Sequence, residues 1–256
     1  MTESAFRDFL AGPWQAIRTW KTQYDLKAII TLYAELCDYS VRTRKDIPAF
    51  VLISSLAAQD CLDEARAAEA GSCTDPDLVS GSDSGPDSGP DSGFGLARLL
   101  RERAKVLLYN LGANTWPGWG DGDVTIDGTA RLTGFWASQK SLDLVRSLEL
   151  GAYQLGNGLW LTGAHALAAG MTQAAEADFR QAKRHFLECD TPVMADLATG
   201  YGMLAGSFAG HDTAAEFDGF LADLRGRGDK GAASVADQIE TARGALRVDP
   251  DPDALS

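Results

Sequence analysis

Residues 169–178 read Ala-Gly-Met-Thr-Gln-Ala-Ala-Glu-Ala-Asp, and residues 209–218 read Ala-Gly-His-Asp-Thr-Ala-Ala-Glu-Phe-Asp. Six of the ten positions are identical at an offset of 40. In each copy a glycine, Gly170 or Gly210, can take the left-handed conformation that ends a helix. Thr172 and Asp212 then stand where a side-chain oxygen caps the next helix. Glu176 and Glu216 fall in the turn that follows, where a carboxylate meets the positive end of the helix dipole. Each copy therefore encodes the turn of a helical hairpin. The spacing predicts helices over 152–169 and 172–189, then 192–209 and 212–226, with Thr191-Pro192 as cap and first-turn proline of the third. Hairpins that recur at a fixed period are the mark of stacked helical repeats.

Outward from the repeat the pattern stays helical. Residues 150–170 carry no formal charge with histidine neutral. They include Gln154, Asn157, Thr162, His165 and several glycines, too polar a mixture for a lone membrane span. A buried central helix with small residues at its contacts is expected instead. Leu96 to Leu111 mixes leucines with Arg98, Arg101, Arg103 and Lys105 and reads as an amphipathic helix. Near the start, Leu26, Ile29, Ile30, Leu32, Tyr33 and Leu36 recur at three- and four-residue steps. Asp46 followed by Pro48 reads as a helix start that continues through Phe50 to Leu56, and Asp60 is expected to cap a further segment ending at Gly71. No run of alternating strand residues interrupts this. The fold class is all-α: stacked antiparallel helical hairpins, arranged as an α-solenoid or a compact bundle.

The chain has 256 residues and a net charge of −13. Eight of its acids, at positions 75, 77, 83, 87, 91, 249, 251 and 253, fall in two segments without a base, and setting them aside brings the balance to −5. An acidic chain does not bind phosphate backbones or anionic membranes unaided, so neither nucleic acid nor membrane is an expected partner. The tandem Ser-Gly-Pro-Asp units at 84–91 have nothing to bury and read as a linker. The expected organisation is a helical segment over 1–70, a Gly/Ser/Pro/Asp linker over 71–94, a helical repeat region over 95–248, continuous with 1–70 as one helical domain, and an acidic tail over 249–256. The cysteines at 37, 61, 73 and 189 lack the two-residue spacing of a zinc knuckle or redox pair. With no apolar leader at Met1–Asp8, reduced thiols and a cytoplasmic location are expected.

Gly163, Gly170, Ala175, Phe179 and Ala182 place small residues and one aromatic where two helices of a hairpin touch, and over 152–226 the chain resembles the tetratricopeptide repeat family. Leu155-Gly156-Asn157 is similar to the start of such a repeat, one heptad too early. The period of 40 exceeds the family's 34, and Gly219 stands where the second copy should carry its aromatic. The resemblance implies a groove for a protein or peptide partner, lined by first helices, with no catalysis. On 152–169 that face would carry Asn157, Trp160, Leu161, Ala164 and Ala168. With no Lys or Arg between 147 and 179, the family's carboxylate-clamping version is not implied.

Asn114-Thr-Trp116-Pro-Gly-Trp119-Gly-Asp121 is the most unusual local sequence. Two tryptophans about a Pro-Gly turn either plug the helical stack or form a ligand platform, with Asp121 beside them. Asp123-Val-Thr-Ile-Asp127-Gly128 begins like a calcium loop, but Gly134 stands where the bidentate glutamate belongs, so Asp127 is expected to cap a helix. His185 and Cys189 share a helical face, yet no third ligand is marked for a metal. No phosphate-binding glycine loop, nucleophile elbow or zinc-protease motif occurs. The expected function is thus a non-catalytic interaction module binding a protein or peptide, with no cofactor and no metal. Two alternatives stand beside it: an all-α enzyme or small-ligand binder using the Trp116/Trp119 loop, and a structural homo-oligomer, such as a dimer, joined through the uncharged helices.

Overall fold

In the computed structural model, residues 2–72, 93–120, 122–212 and 214–247 are described. Among them eleven α-helices form and no strand. The chain folds as two compact units, Met1–Leu107 and Leu108–Ser256. The core of the expected linker, at 73–92, the tail from 248 onward and Asp121 lie outside the described residues. Gly71 and Ser72 end one helix, and Gly93 and Phe94 begin the next. The boundary between the units falls inside the helix that begins at Gly93.

The first unit holds α1 (Glu3–Ala11), α2 (Pro13–Gln23), α3 (Leu26–Asp38), α4 (Ile47–Ser72) and the first part of α5 (Gly93–Asn114). Helix starts follow from side-chain oxygens that accept otherwise orphaned amides. The Thr2 hydroxyl accepts from Ala5 N–H, and the Asp25 and Asp46 carboxylates accept from Ala28 and Ala49. The Asp46–Pro48 start is thus where the sequence placed it, whereas α1 and α2 went unread. Phe6, Phe9, Ile17, Ile29, Tyr33, Leu36, Ile53 and Ala57 make the core.

Asp60 corrects the sequence reading. It caps nothing: α4 runs unbroken through it for 26 residues, because Ile53, Ala57, Cys61 and Ala65 continue one buried stripe. Asp60 is itself buried on that stripe, where it accepts from the Tyr33 hydroxyl (3.0 Å) and pairs with Lys21 (2.6 Å). Lys21 also reaches Glu64 (2.6 Å), so the network ends at solvent. Burial, followed by the Asp60 charge, pushes the neighbouring Cys61 thiol up to about 12, which leaves it an unreactive core residue.

The second unit takes the end of α5, a 3₁₀ turn (Pro117–Trp119), α6 (Gly128–Ser147), α7 (Ala152–Ala168), α8 (Thr172–Glu188), α9 (Pro192–Phe208), α10 (Ala214–Gly226) and α11 (Lys230–Arg247). Asp127 caps α6 by accepting from Ala130 N–H (2.7 Å). From α7 to α9 each helix packs against the one before it. The charge-free segment is the centre: Gly156 and Gly158 to Leu167 of α7 are buried on every side. Glycine at 156 is required there, since a Cβ would come within 2.7 Å of the Phe186 ring of α8.

The turn read from the repeat is real and occurs twice as often as the sequence signals. After α7, Met171 N–H donates to Ala166 O and Gly170 N–H to Leu167 O, with Gly170 at φ +74°. The same pair of bonds follows α9, about Gly210 at φ +87°. It also closes α6 about Glu149 (φ 52°) and α8 about Asp190 (φ 54°), neither a glycine. The 40-residue period is therefore two helix-and-turn units of about half that length. One detail departs from expectation: Thr172 is the first residue of α8 and caps nothing. Likewise the Thr191 hydroxyl, at the cap position of α9, donates backward to Phe186 O instead of accepting from the helix.

Candidate functional site

The residues expected to line a partner groove on α7 do not share one environment. Trp160, Leu161 and Ala164 are core, with Trp160 only 4% exposed, while Asn157 and Ala168 are half-buried. What covers this face is the chain itself. Trp116, wholly buried, lies against Trp160 of α7 and Tyr201 of α9, at ring separations of 5.8 and 5.7 Å. Its indole N–H donates to Ala164 O (2.9 Å), satisfying the one polar atom that so large a buried ring carries. Trp119 stands edge-on to Trp116 at 4.9 Å, keeps 37% of its surface exposed and donates to Ala113 O. The turn that carries both rings is itself seated on α11, which packs on α9. Gly118 makes the seat possible, because a Cβ there would fall 2.2 Å from the Trp116 ring. The loop thus fills the face that the sequence reading left open for a ligand.

Two polar atoms in this aromatic cluster stay unpaired: Trp160 Nε1 and the Tyr201 hydroxyl, whose rings meet at 5.4 Å. Gln238 is the polar side chain beside the Tyr201 hydroxyl, and burial raises that hydroxyl's pKa. Below the cluster, His165 Nε2 lies 3.0 Å from Gly112 O, and burial holds the imidazole down to about 4. At neutral pH the ring is uncharged and Nε2–H donates to that carbonyl. It stacks on Phe135 at 6.0 Å, in a space kept narrow by Gly134, where a Cβ would lie 1.9 Å from Thr115 Oγ1.

An open site lies elsewhere in the same unit. Between α6 and α8, over α7, runs a groove of about 390 Å³. Thr162 and Ala166 of α7 form its floor, Phe135 and Arg146 stand on the α6 side, and Met171 and Asp178 on the α8 side. One end is apolar, with Phe135 and the exposed Met171; the other is charged. Lys140 and Arg146 both face Asp143, at 3.6 and 4.0 Å, so these two cations share one carboxylate. Asp178 is half-buried and forms no ion pair among the described residues; burial raises its pKa, with the Thr162 hydroxyl and then the Arg146 charge acting in the other direction. Beside the groove, α6 also exposes Leu132 (55%) and Trp136 (47%). None of these groove residues stood out in the sequence. Leu132, Phe135 and Trp136 follow helical spacing, and periodicity alone does not separate a stripe that faces solvent from one that faces the core.

For metal chemistry, the described residues contain no cluster of three or more histidine, cysteine or acidic side chains suited to an ion. His185 Nδ1 lies 2.8 Å from Glu188, and Cys189 Sγ 3.3 Å from the Thr191 hydroxyl, so the two approach separate neighbours. No helix among the described residues is long and apolar enough to cross a membrane. Comparison with protein families, with curated proteins and with solved structures returned no match to this chain.

Proposed function

We propose that this protein is a non-catalytic helical interaction module that holds a protein or peptide partner in the groove between α6 and α8. The observation that carries the reading is the open, 390 Å³ groove with a mixed apolar and charged lining, next to the exposed Leu132 and Trp136. Its volume falls in the range of ligand sites, and a contiguous exposed pair of large apolar residues is costly unless a partner covers it. The consecutive packing of α6 to α9 supports a helical-repeat organisation of the tetratricopeptide kind, with one difference. In that family the first helices of the hairpins face the ligand, whereas here the Trp116–Trp119 turn covers them. A reducing, cytoplasmic setting belongs to this reading and rests on the cysteine spacing in the sequence.

The test is a photo-crosslinking phenylalanine analogue introduced at position 136, and for comparison at Arg180, which is exposed on α8. Partner adducts formed from position 136 and not from 180 support the groove; equal yields, or adducts from 180 alone, remove it. A Leu132→Asp variant that carries the same analogue at 136 should lose the adduct while melting like the parent, since the Leu132 side chain is exposed.

A second reading, a small-ligand site in the aromatic cluster, is favoured by the unpaired Trp160 Nε1 and Tyr201 hydroxyl. A compound with a hydrogen-bond acceptor that entered beneath Trp119 would satisfy both donors. Its signature is a shift in tryptophan emission on titration that a Trp119→Ala variant lacks.

A further inference from the structure

We propose that the Trp119 side chain is a gate over the aromatic cluster. Swung out, it admits an uncharged, flat ligand of the size of its own indole that carries both a hydrogen-bond donor and an acceptor. A bicyclic lactam is the simplest molecule of that class. This deepens the small-ligand reading of the cluster, rests on it, and is independent of the groove.

The gate is marked by what holds each ring. Trp116 is wholly buried, and its N–H is bound across the stack to Ala164 O. Trp160, Phe179 and Tyr201 are buried as well, whereas Trp119 keeps 37% of its surface exposed. Its N–H is tied to Ala113 O, at the end of the helix just before its own turn. The backbone beneath it is fixed. Gly120, at φ +69°, sits so close to α11 that a Cβ there would come within 2.8 Å of Thr241 Cγ2. Motion is therefore confined to the side chain, which turns about its own rotatable bonds.

The ligand class follows from what the gate uncovers. Trp160 stands 6.1 Å from Trp119, ring to ring, and is only 4% exposed, yet its Nε1–H has no acceptor among the described residues. Trp116 and Trp119 each donate to a backbone carbonyl, so this orphan is the exception in the cluster. A buried donor without a partner is costly and uncommon. Tyr201, whose hydroxyl is also unpaired, at least has Gln238 beside it. An acceptor on the ligand satisfies Trp160. A donor on the ligand takes over Ala113 O, which loses its bond when the Trp119 side chain leaves. Trp116, Trp160, Phe179, Tyr201 and Gln238 carry no charge, and an ionised ligand would give up its water among them without compensation. A flat ring system suits the aromatic walls, and the space released is that of one indole.

The experiment is isothermal titration calorimetry of the full-length protein with oxindole, a bicyclic lactam, and with indole, which has the donor and lacks the acceptor. The expected result is about tenfold tighter binding of oxindole, the effect of pairing one buried donor. Benzothienylalanine in place of Trp160 keeps the ring system without the N–H and should bring oxindole down to the level of indole. Circular dichroism establishes that this protein is folded, and the ratio measured on the parent decides the matter if it is not. In fluorotryptophan-labelled protein, oxindole should move the fluorine resonances of Trp119 and Trp160 and leave that of Trp14, exposed on α2, in place. Equal affinities of the parent for oxindole and indole, or an unchanged oxindole affinity without the Trp160 N–H, overturn the inference and leave the cluster standing as a site for another ligand class. No binding of oxindole overturns it as well. The emission titration then judges the wider small-ligand reading, and crosslinking from position 136 judges the groove.

Discussion

The N-terminal unit buries a carboxylate, Asp60, and satisfies it with a buried tyrosine and a lysine that reaches in from solvent, whereas the C-terminal unit buries the middle of a helix that carries no formal charge and keeps its one internal histidine neutral. Both arrangements keep unpaired charge out of the core, by different means. In the first unit the helices are amphipathic and each turns one face inward, so a polar group that strays onto the inner face needs partners from other helices. Lys21 from α2 and Tyr33 from α3 supply them. In the second unit the middle of α7 is buried without a charge, so partners are replaced by shape: glycine where helices touch, and tryptophan where a gap remains. The first unit is therefore held in register by hydrogen bonds and the second by packing, and the two should fail differently.

The largest expected effect is on the packed side. Trp116→Ala empties the centre of the aromatic cluster and should destabilise by about 3–5 kcal/mol in denaturant unfolding. Tyr33→Phe in the other unit keeps the ring and loses only a hydroxyl bond, and should cost about 1 kcal/mol. A Trp116→Ala protein that unfolds at the parental midpoint would break the comparison, because the loop would then be an ornament on the helices.

Acid comes next. His165 titrates in the folded protein at about 4, below its ordinary 6.5, so between those values the unfolded chain binds a proton that the folded chain does not. Stability is then fully present above about pH 6.5 and is lost as pH falls toward 4, by about 3 kcal/mol from this one residue. A His165→Gln variant keeps a donor for Gly112 O and should have a flatter profile over that window. An unchanged slope would mean that the histidine is not held neutral by its surroundings.

On the polar side, Asp60→Ala strands the buried Tyr33 hydroxyl but leaves Lys21 its contact with Glu64 and with solvent, so the loss should be about 2 kcal/mol. The double-mutant cycle with Tyr33→Phe should be markedly non-additive, since the two share one hydrogen bond. Additivity would show that Asp60 is not satisfied by the tyrosine. The smallest effect belongs to the turns. Asp190→Gly relieves a left-handed residue and should stabilise by about 0.5–1 kcal/mol, and Gly170→Ala should cost about as much. Equal midpoints for all three proteins would refute the claim that the four turns are one motif.

Legibility in the sequence followed how local each cause was. The turns at 170 and 210 were readable because glycine at the end of an apolar run acts through its own φ, and Asp46 and Asp127 were readable as caps because their partners lie three residues on. The equivalent turns at Glu149 and Asp190 were not, since a residue other than glycine reaches positive φ only when the surrounding helices hold it there. Asp60 misled for a related reason. In mid-sequence an aspartate looks like a helix start, and only the arrival of Tyr33 and Lys21 from other helices makes it a core residue.

By itself the sequence determined that the chain is helical, where most helices of its second half begin and end, and that the uncharged segment 152–168 lies at the centre. These depend on backbone preferences and on the absence of charge, both carried by consecutive residues. Only the tertiary structure decided which faces are free. It turned Trp160, Leu161 and Ala164 inward beneath Trp116, and it left Leu132, Trp136 and Asp178 beside an open groove. An apolar stripe marks a helix face for burial without naming what will cover it. That assignment is made by elements distant in sequence, here a turn near residue 118 and a helix that begins at Lys230.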